Sequence, residues 1–123
     1  KRKQFIKGVT QLAQEGAIQI FKDYSLDLSE IIVGVVGVLQ FDVLKYRLET
    51  EYNCDVRLEP LPYNYIRWVK DPSTDLNRLK RVSDCKKVKD MKDNPLLLFA
   101  NEWSIRLVLE NNEGLELEEF RKN

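Results

Sequence analysis

The chain holds 123 residues, 43% of them hydrophobic, with 20 Lys and Arg balancing 20 Asp and Glu to a formal net charge of zero. That composition fits one soluble globular domain. It lacks the positive excess of a general nucleic-acid binder, has no apolar run near the roughly 18–20 residues of a membrane span, and opens on no secretory leader. With no histidine anywhere, Ser–His–Asp and Cys–His triads are excluded and the commonest metal ligand is missing.

Lys1 to Glu15 predicts an amphipathic helix, with Phe5, Ile6, Val9, Leu12 and Ala13 at 3.6-residue spacing and Gly16 as its stop. Ala17–Phe21 and Glu30–Val36 read as strands joined by a polar link that carries Asp23, Ser25, Asp27 and Ser29. Gly37 opens a second helix in the position of a cap, and Phe41, Leu44, Leu48 and Tyr52 form its apolar stripe with Val43 beside it. Asn53 closes that helix. Val56, Leu58 and Leu61 predict a third strand, stopped by Pro60 and Pro62, and Tyr65–Lys70 a short fourth.

Beyond Asp71 the pattern weakens. Asp71–Thr74 opens a short helix holding Asp75, Leu76 and Leu79, and Ser83–Asn94, dense in Lys and Asp, reads as frayed helix or loop. Leu96–Ala100 is a buried strand, and Asn101 caps a helix through Leu109, with an extended alternative left open. Leu115–Phe120 alternates apolar residues with Glu as an edge strand does. The order helix, strand, strand, helix, strand implies an α+β fold of the ferredoxin-like α/β plait type, an antiparallel sheet with helices packed on one face. A full plait needs a strand ahead of the first helix, and either that strand lies N-terminal to Lys1 or the later strands replace it.

Charge is unevenly spread. Tyr65–Lys92 carries nine Lys and Arg against four Asp, whereas Asn101–Glu119 carries six Glu against one Arg. A neutral chain arranged in this way can still present a basic face. Arg78, Lys80, Arg81, Lys86, Lys87 and Lys89 form the densest positive run, against the simpler reading of a solvated surface. Lys45 and Arg47 lie off the second helix's apolar stripe and could meet phosphates, or pair with Glu49 and Glu51. Arg67 stands at a strand end beside Trp68, which suits the core. Gln40 and Asp42 fall in a first helical turn, where Asp42 also complements the macrodipole.

Catalytic chemistry is not in view. Cys54 and Cys85 are far apart with no CxxC spacing, and read as reduced thiols, not as metal ligands or a disulfide. No G-x-x-x-x-G-K-[ST] loop occurs, and Gly34-x-x-Gly37 is most simply close packing at a strand-to-helix turn. The expectation is no catalytic, cofactor-binding or metal residue in these 123 residues. A single-stranded-RNA plait would place aromatics on its central strands beside a Gly-aromatic motif, which is lacking here.

Several ordered segments resemble one family. Gly37-Val38-Leu39-Gln40-Phe41-Asp42 stands where elongation factor G proteins have Gly-Glu-Leu-His-Leu-Glu, and its departure resembles the release-factor branch. Lys7-Gly8-Val9, Glu15-Gly16-Ala17-Ile18-Gln19, Arg47-Leu48-x-x-Glu51-Tyr52-Asn53 and Arg67-Trp68-Val69 agree. More thinly, so do Leu97–Phe99 and Ile105-Arg106-Leu107. The chain thus resembles the C-terminal domain of bacterial class II peptide chain release factors, ribosome-dependent translational GTPases.

The resemblance implies that residues 1–123 form a single C-terminal domain excised from, or processed out of, a larger cytoplasmic GTPase. GTP and magnesium would then sit in an absent G domain, which a β-barrel domain follows. It implies a noncatalytic domain that contacts small-subunit rRNA and ribosomal protein while the whole factor promotes departure of class I release factors. Lys45, Arg47, Arg67, Arg78, Lys80 and Arg81 are the expected ribosome contacts, with Gln40 and Asp42 facing either the ribosome or the protein's own domains. No membrane and no small-molecule substrate are expected. The other reading of the same elements is a free-standing plait module that self-associates through a sheet face or edge.

Overall fold

The computed structural model describes residues 2–24, 31–35 and 39–119. Its elements are α1 (Arg2–Gln14), β1 (Gln19–Asp23), β2 (Ile31–Gly34), α2 (Leu39–Glu51), β3 (Tyr65–Val69), β4 (Cys85–Lys89), β5 (Pro95–Phe99), α3 (Glu102–Asn111) and β6 (Leu117–Glu118). The strands follow the order β2-β1-β4-β5-β3-β6, and the β1–β4, β4–β5, β5–β3 and β3–β6 pairs are all antiparallel. This is the expected α+β, plait-type arrangement. The chain packs as two compact units, Lys1–Phe21 with Ile31–Pro60, and Lys22–Glu30 with Leu61–Asn123.

In the first unit the predicted stripes meet. Val9 and Leu12 of α1 pack with Leu44 and Leu48 of α2, Ile18, Ile20 and Cys54, and Phe5, Val33, Tyr52 and Val56 cover the edges. Each fully buried Leu contributes about 2 kcal/mol of transfer free energy. Gly16 ends α1 at φ +83°, with Gly16 N–H donating to Ala13 O and Ala17 N–H to Leu12 O, the paired bonds of a Schellman stop. Asn53 closes α2 in the left-handed region at φ +52°. The proposed cap at Gly37 and the link carrying Ser25, Asp27 and Ser29 lie outside the described residues.

Gly8, in mid-helix, has a packing reason. A Cβ there would lie 2.7 Å from Leu48 Cδ2 and 3.0 Å from the Tyr52 ring, so α1 approaches α2 through the missing side chain. Gly8→Val should destabilise the chain by about 1–3 kcal/mol through overpacking. Urea denaturation reads this as a lower midpoint at unchanged slope, and an unaltered midpoint would contradict the close approach.

The second unit is built on β5, whose five residues are all buried. It pairs with β3 on one side and β4 on the other. Leu97 and Phe99 join Val69, Leu76 and Val108 in one core cluster, while Trp68, Val88, Leu96 and Leu98 are buried at the alternating positions. Asn101 caps α3 by accepting Ser104 N–H at 2.8 Å, which settles the open helix-or-strand choice as helix.

Three expectations are corrected. Cys85–Lys89 is a strand, not frayed helix or loop, because β4 bonds along its length to β5 and buries Val88. Its lysines are tolerated since their stems can lie along the sheet with the ammonium outside. Val56–Leu61 forms no strand. Pro60 and Pro62 carry no N–H for a ladder, and Leu58 and Leu61 are exposed. Val43, placed beside the apolar stripe of α2, is instead 55% exposed.

Candidate functional site

The sequence candidates fall on two surfaces, one in each unit. In the first, Gln40, Asp42 and Lys45 are exposed on α2. Arg47 is already engaged. Its guanidinium bonds Glu51 through Nε at 2.8 Å and Glu15 through Nη1 at 3.0 Å, a fork matched to two carboxylates. Glu51, then Glu15, hold its proton more tightly than usual, and the Arg47 hydrogen bond depresses the Glu51 pKa. Arg47 therefore fastens α1 to α2.

The same helix carries an apolar stripe the sequence pattern did not expose. Leu39, Val43 and Tyr46 are 80%, 55% and 67% exposed and recur at helical spacing on the side away from Leu44 and Leu48.

In the second unit the opposite charges of the sequence largely find one another. Because β6 pairs with β3, Lys70 meets Glu116 at 3.1 Å and Arg67 meets Glu119 at 3.4 Å. Arg67 also lies 5.7 Å from the Tyr65 ring centre and donates to Ile66 O. Lys86 pairs with Asp23, and Lys22 with Asp93. Lys89 stands over the Tyr24 ring at 5.1 Å.

Among the described residues of this unit Lys87, Lys92 and Arg106 enter no ion pair, and the densest group of available cations lies in the segment from Asp75 to Asp84. A 3₁₀ turn, Leu76–Arg78, is capped by Asp75, whose side chain accepts Asn77 N–H at 3.0 Å. Leu76 is fully buried and its N–H donates to Tyr24 Oη, while Leu79 and Val82 pack on the core. Arg78, Lys80 and Arg81 project between these anchors. Arg78 is 87% exposed, with only a 3.8 Å contact to Asp75. Among the described residues neither Lys80 nor Arg81 enters an ion pair. Arg81 sits in the left-handed region at φ +58°, a backbone state that costs about 1 kcal/mol or more and persists where neighbours fix it.

Neither cysteine is linked to another. Burial pushes the Cys85 thiol up to about 12, against the pull of Lys87. Folding thus favours the neutral thiol, a contribution that is full below about 9 and disappears as the pH climbs toward 12. With Cys54 buried, iodoacetamide at pH 8 should modify both thiols on the order of a hundredfold more slowly in the native chain than in urea. Rapid native labelling of Cys85 would contradict its setting. Among the described residues no group of three His, Cys, Asp or Glu gathers that could hold a metal, and no helix is long and apolar enough to cross a membrane.

Comparison with known proteins identifies the class first: the chain is similar to translation termination factors. Residues 1–109 match the family described as Class II release factor RF3, C-terminal domain, and the chain belongs to that family. It is 44% identical over 119 residues to peptide chain release factor 3 of Listeria welshimeri and of a Cyanothece species, covering 95% of this chain and 22% of each relative. Against the Streptococcus pneumoniae factor of the same name it is 40% identical over 121 residues, 97% of this chain and 22% of the relative. The chain therefore spans about a fifth of the length of the curated relatives it matches.

Proposed function

We propose that residues 1–123 are the C-terminal, ribosome-contacting domain of a GTP-dependent translation termination factor that promotes recycling of class I release factors. The observation that carries this, beyond family membership, is the loop of Arg78, Lys80 and Arg81. It is anchored at both ends and presents three cations within four residues, whereas Lys22, Arg67, Lys70 and Lys86 of the same unit stand in ion pairs. Rigid rRNA phosphates are best met by a preformed basic surface of this kind. Lys45 on α2 is a second contact. Arg47 and Arg67 support the surface from their ion pairs.

The exposed Leu39–Val43–Tyr46 stripe, with Gln40 and Asp42 beside it, suits protein better than RNA because it is apolar and lacks positive excess. We assign it to the protein's own preceding GTPase and β-barrel domains. GTP and magnesium belong to that G domain, and the factor works in the cytoplasm. The test is to read the reading frame upstream of Lys1 for a G-x-x-x-x-G-K-[ST] loop and an Asn-Lys-x-Asp motif. The complete gene product is then assayed for dissociation of a class I factor from ribosomes. A frame without those motifs, or a product that leaves dissociation unchanged, would overturn the proposal.

A further inference from the structure

The basic loop has no regular secondary structure beyond the single 3₁₀ turn, yet its backbone is held from across the unit. One side chain, Asn112 at the end of α3, takes both polar groups of the Lys80 backbone. Its Oδ1 accepts Lys80 N–H at 2.8 Å and its Nδ2 donates to Lys80 O at 2.8 Å. The same Nδ2 donates to Val108 O at 2.7 Å, so the carboxamide is fixed on its own helix and cannot turn without breaking all three bonds. A residue 32 positions away thus acts as a second strand for Lys80. It does so between Arg78 and Arg81, where the chain enters the left-handed region. Local bonds shape the 3₁₀ turn only as far as Leu79, and the Lys80 backbone beyond it is held by Asn112.

We infer that Asn112 is a positioning residue: it locks the 78–81 backbone so that Arg78, Lys80 and Arg81 meet the phosphates of a folded RNA as a preset triad. This deepens the ribosome-contact reading of the loop and rests on it. The chemical reason is the cost of ordering. Three long cationic side chains on a loose loop must lose backbone and rotamer freedom on binding, and a loop already fixed loses only the rotamer part. Asn112 carries no charge and its carboxamide is taken up by Lys80 and Val108, so its contribution to binding is through that order.

The test uses the complete gene product and purified ribosomes over a series of KCl concentrations, well below the melting temperature of each variant. Arg78→Ala/Lys80→Ala/Arg81→Ala should weaken binding and flatten the slope of log affinity against log salt by roughly two. Asn112→Ala should weaken binding roughly tenfold while leaving that slope unchanged. In the background lacking the three cations, Asn112→Ala should have no further effect, a result that a merely structural role would not produce. Asn112→Asp, equal in size but unable to donate to Lys80 O or Val108 O, serves if the alanine variant does not fold, and should weaken binding likewise.

Hydroxyl-radical footprinting of the rRNA backbone should show a protected patch that the triple variant loses and Asn112→Ala weakens. Three outcomes count against the inference, and they are separable. If the triple variant binds with normal affinity and slope, the ribosome reading of the loop fails, and this inference with it. If the triple variant binds weakly but Asn112→Ala binds normally, or costs the same with and without the cations, only the positioning role falls. If binding weakens with no change in any rRNA protection, the loop meets an acidic protein surface and not RNA.

Discussion

Asp90→Ala is expected to lower stability by about 2–4 kcal/mol and the melting temperature by on the order of 10 °C, the largest effect of any single truncation at a polar side chain here. Asp90 is where the β4–β5 hairpin and the sheet interior are joined. Its Oδ1 accepts Lys92 N–H and Asn94 N–H at 2.9 Å each, shaping the turn. Its Oδ2 accepts Asn94 Nδ2–H at 3.0 Å and Trp68 Nε1–H at 3.1 Å. Trp68 is only 8% exposed, so removing the carboxylate takes an acceptor from a largely buried indole as well as three bonds from the turn, and losing an acceptor away from water costs more than the bond itself contributes. Asp93 completes the turn in the left-handed region at φ +65°, which the Asp90 bonds help to hold. Thermal and urea melts of the wild type, Asp90→Ala, Trp68→Phe and the double variant measure this. The cost of Asp90→Ala should shrink by about 1 kcal/mol when Trp68 is already Phe. A cost under about 0.5 kcal/mol in the wild-type background would show that the carboxylate is not the link.

Such links explain what could and could not be read from the chain. Local signals were legible: the Gly16 stop, the α1 stripe, the Leu44–Leu48 face of α2 and the apolar run of β5 each depend on residues within a turn or two. β4 was not, because Ser83–Asn94 has the composition of a solvated loop. Its extended form comes from β5 on one side and the end of β1 on the other, and tertiary pairing overrides local propensity there. The stretch after Asn53 fails in the opposite sense. It has the apolar residues of a strand, but Pro60 and Pro62 interrupt its donors. α2 misleads because it is apolar on two sides. The stripe of Phe41, Leu44, Leu48 and Tyr52 is legible, but Leu39, Val43 and Tyr46 on the opposite side blur its edge, so Val43 reads as part of it.

The candidate surface divides in the same way. Arg78, Lys80 and Arg81 were visible as positive density, whereas the engagement of Arg47 by Glu15, of Arg67 by Glu119, and of the Lys80 backbone by Asn112 spans 32 or more positions. Charge counting along the sequence therefore overstated the basic face. Folding brings the Glu-rich C-terminal segment to the β3 edge and neutralises part of it, and the densest positive group left is the short 78–81 loop.

Reversing that loop, Arg78→Glu/Lys80→Glu/Arg81→Glu, is expected to reduce ribosome affinity of the complete gene product at least about a hundredfold near physiological salt. Each lost phosphate contact removes on the order of 1 kcal/mol, and each new carboxylate adds repulsion at close range. The rate of class I factor dissociation at subsaturating factor should fall in step, and raising the factor concentration should restore it. The fold should be indifferent. The three side chains are exposed, and among the described residues their one ion pair, Arg78 with Asp75, is long at 3.8 Å. Exposed pairs of that kind contribute little. Reversal of Lys3, Lys7 and Arg57, all exposed, is the control matched in charge, since salt screens charges that lie more than roughly 8–10 Å from a contact. An equal loss from both sets would mean that the ribosome senses total charge and not this loop. A loss confined to Arg78, Lys80 and Arg81 would make their fixed geometry the means by which a neutral domain finds a polyanionic partner.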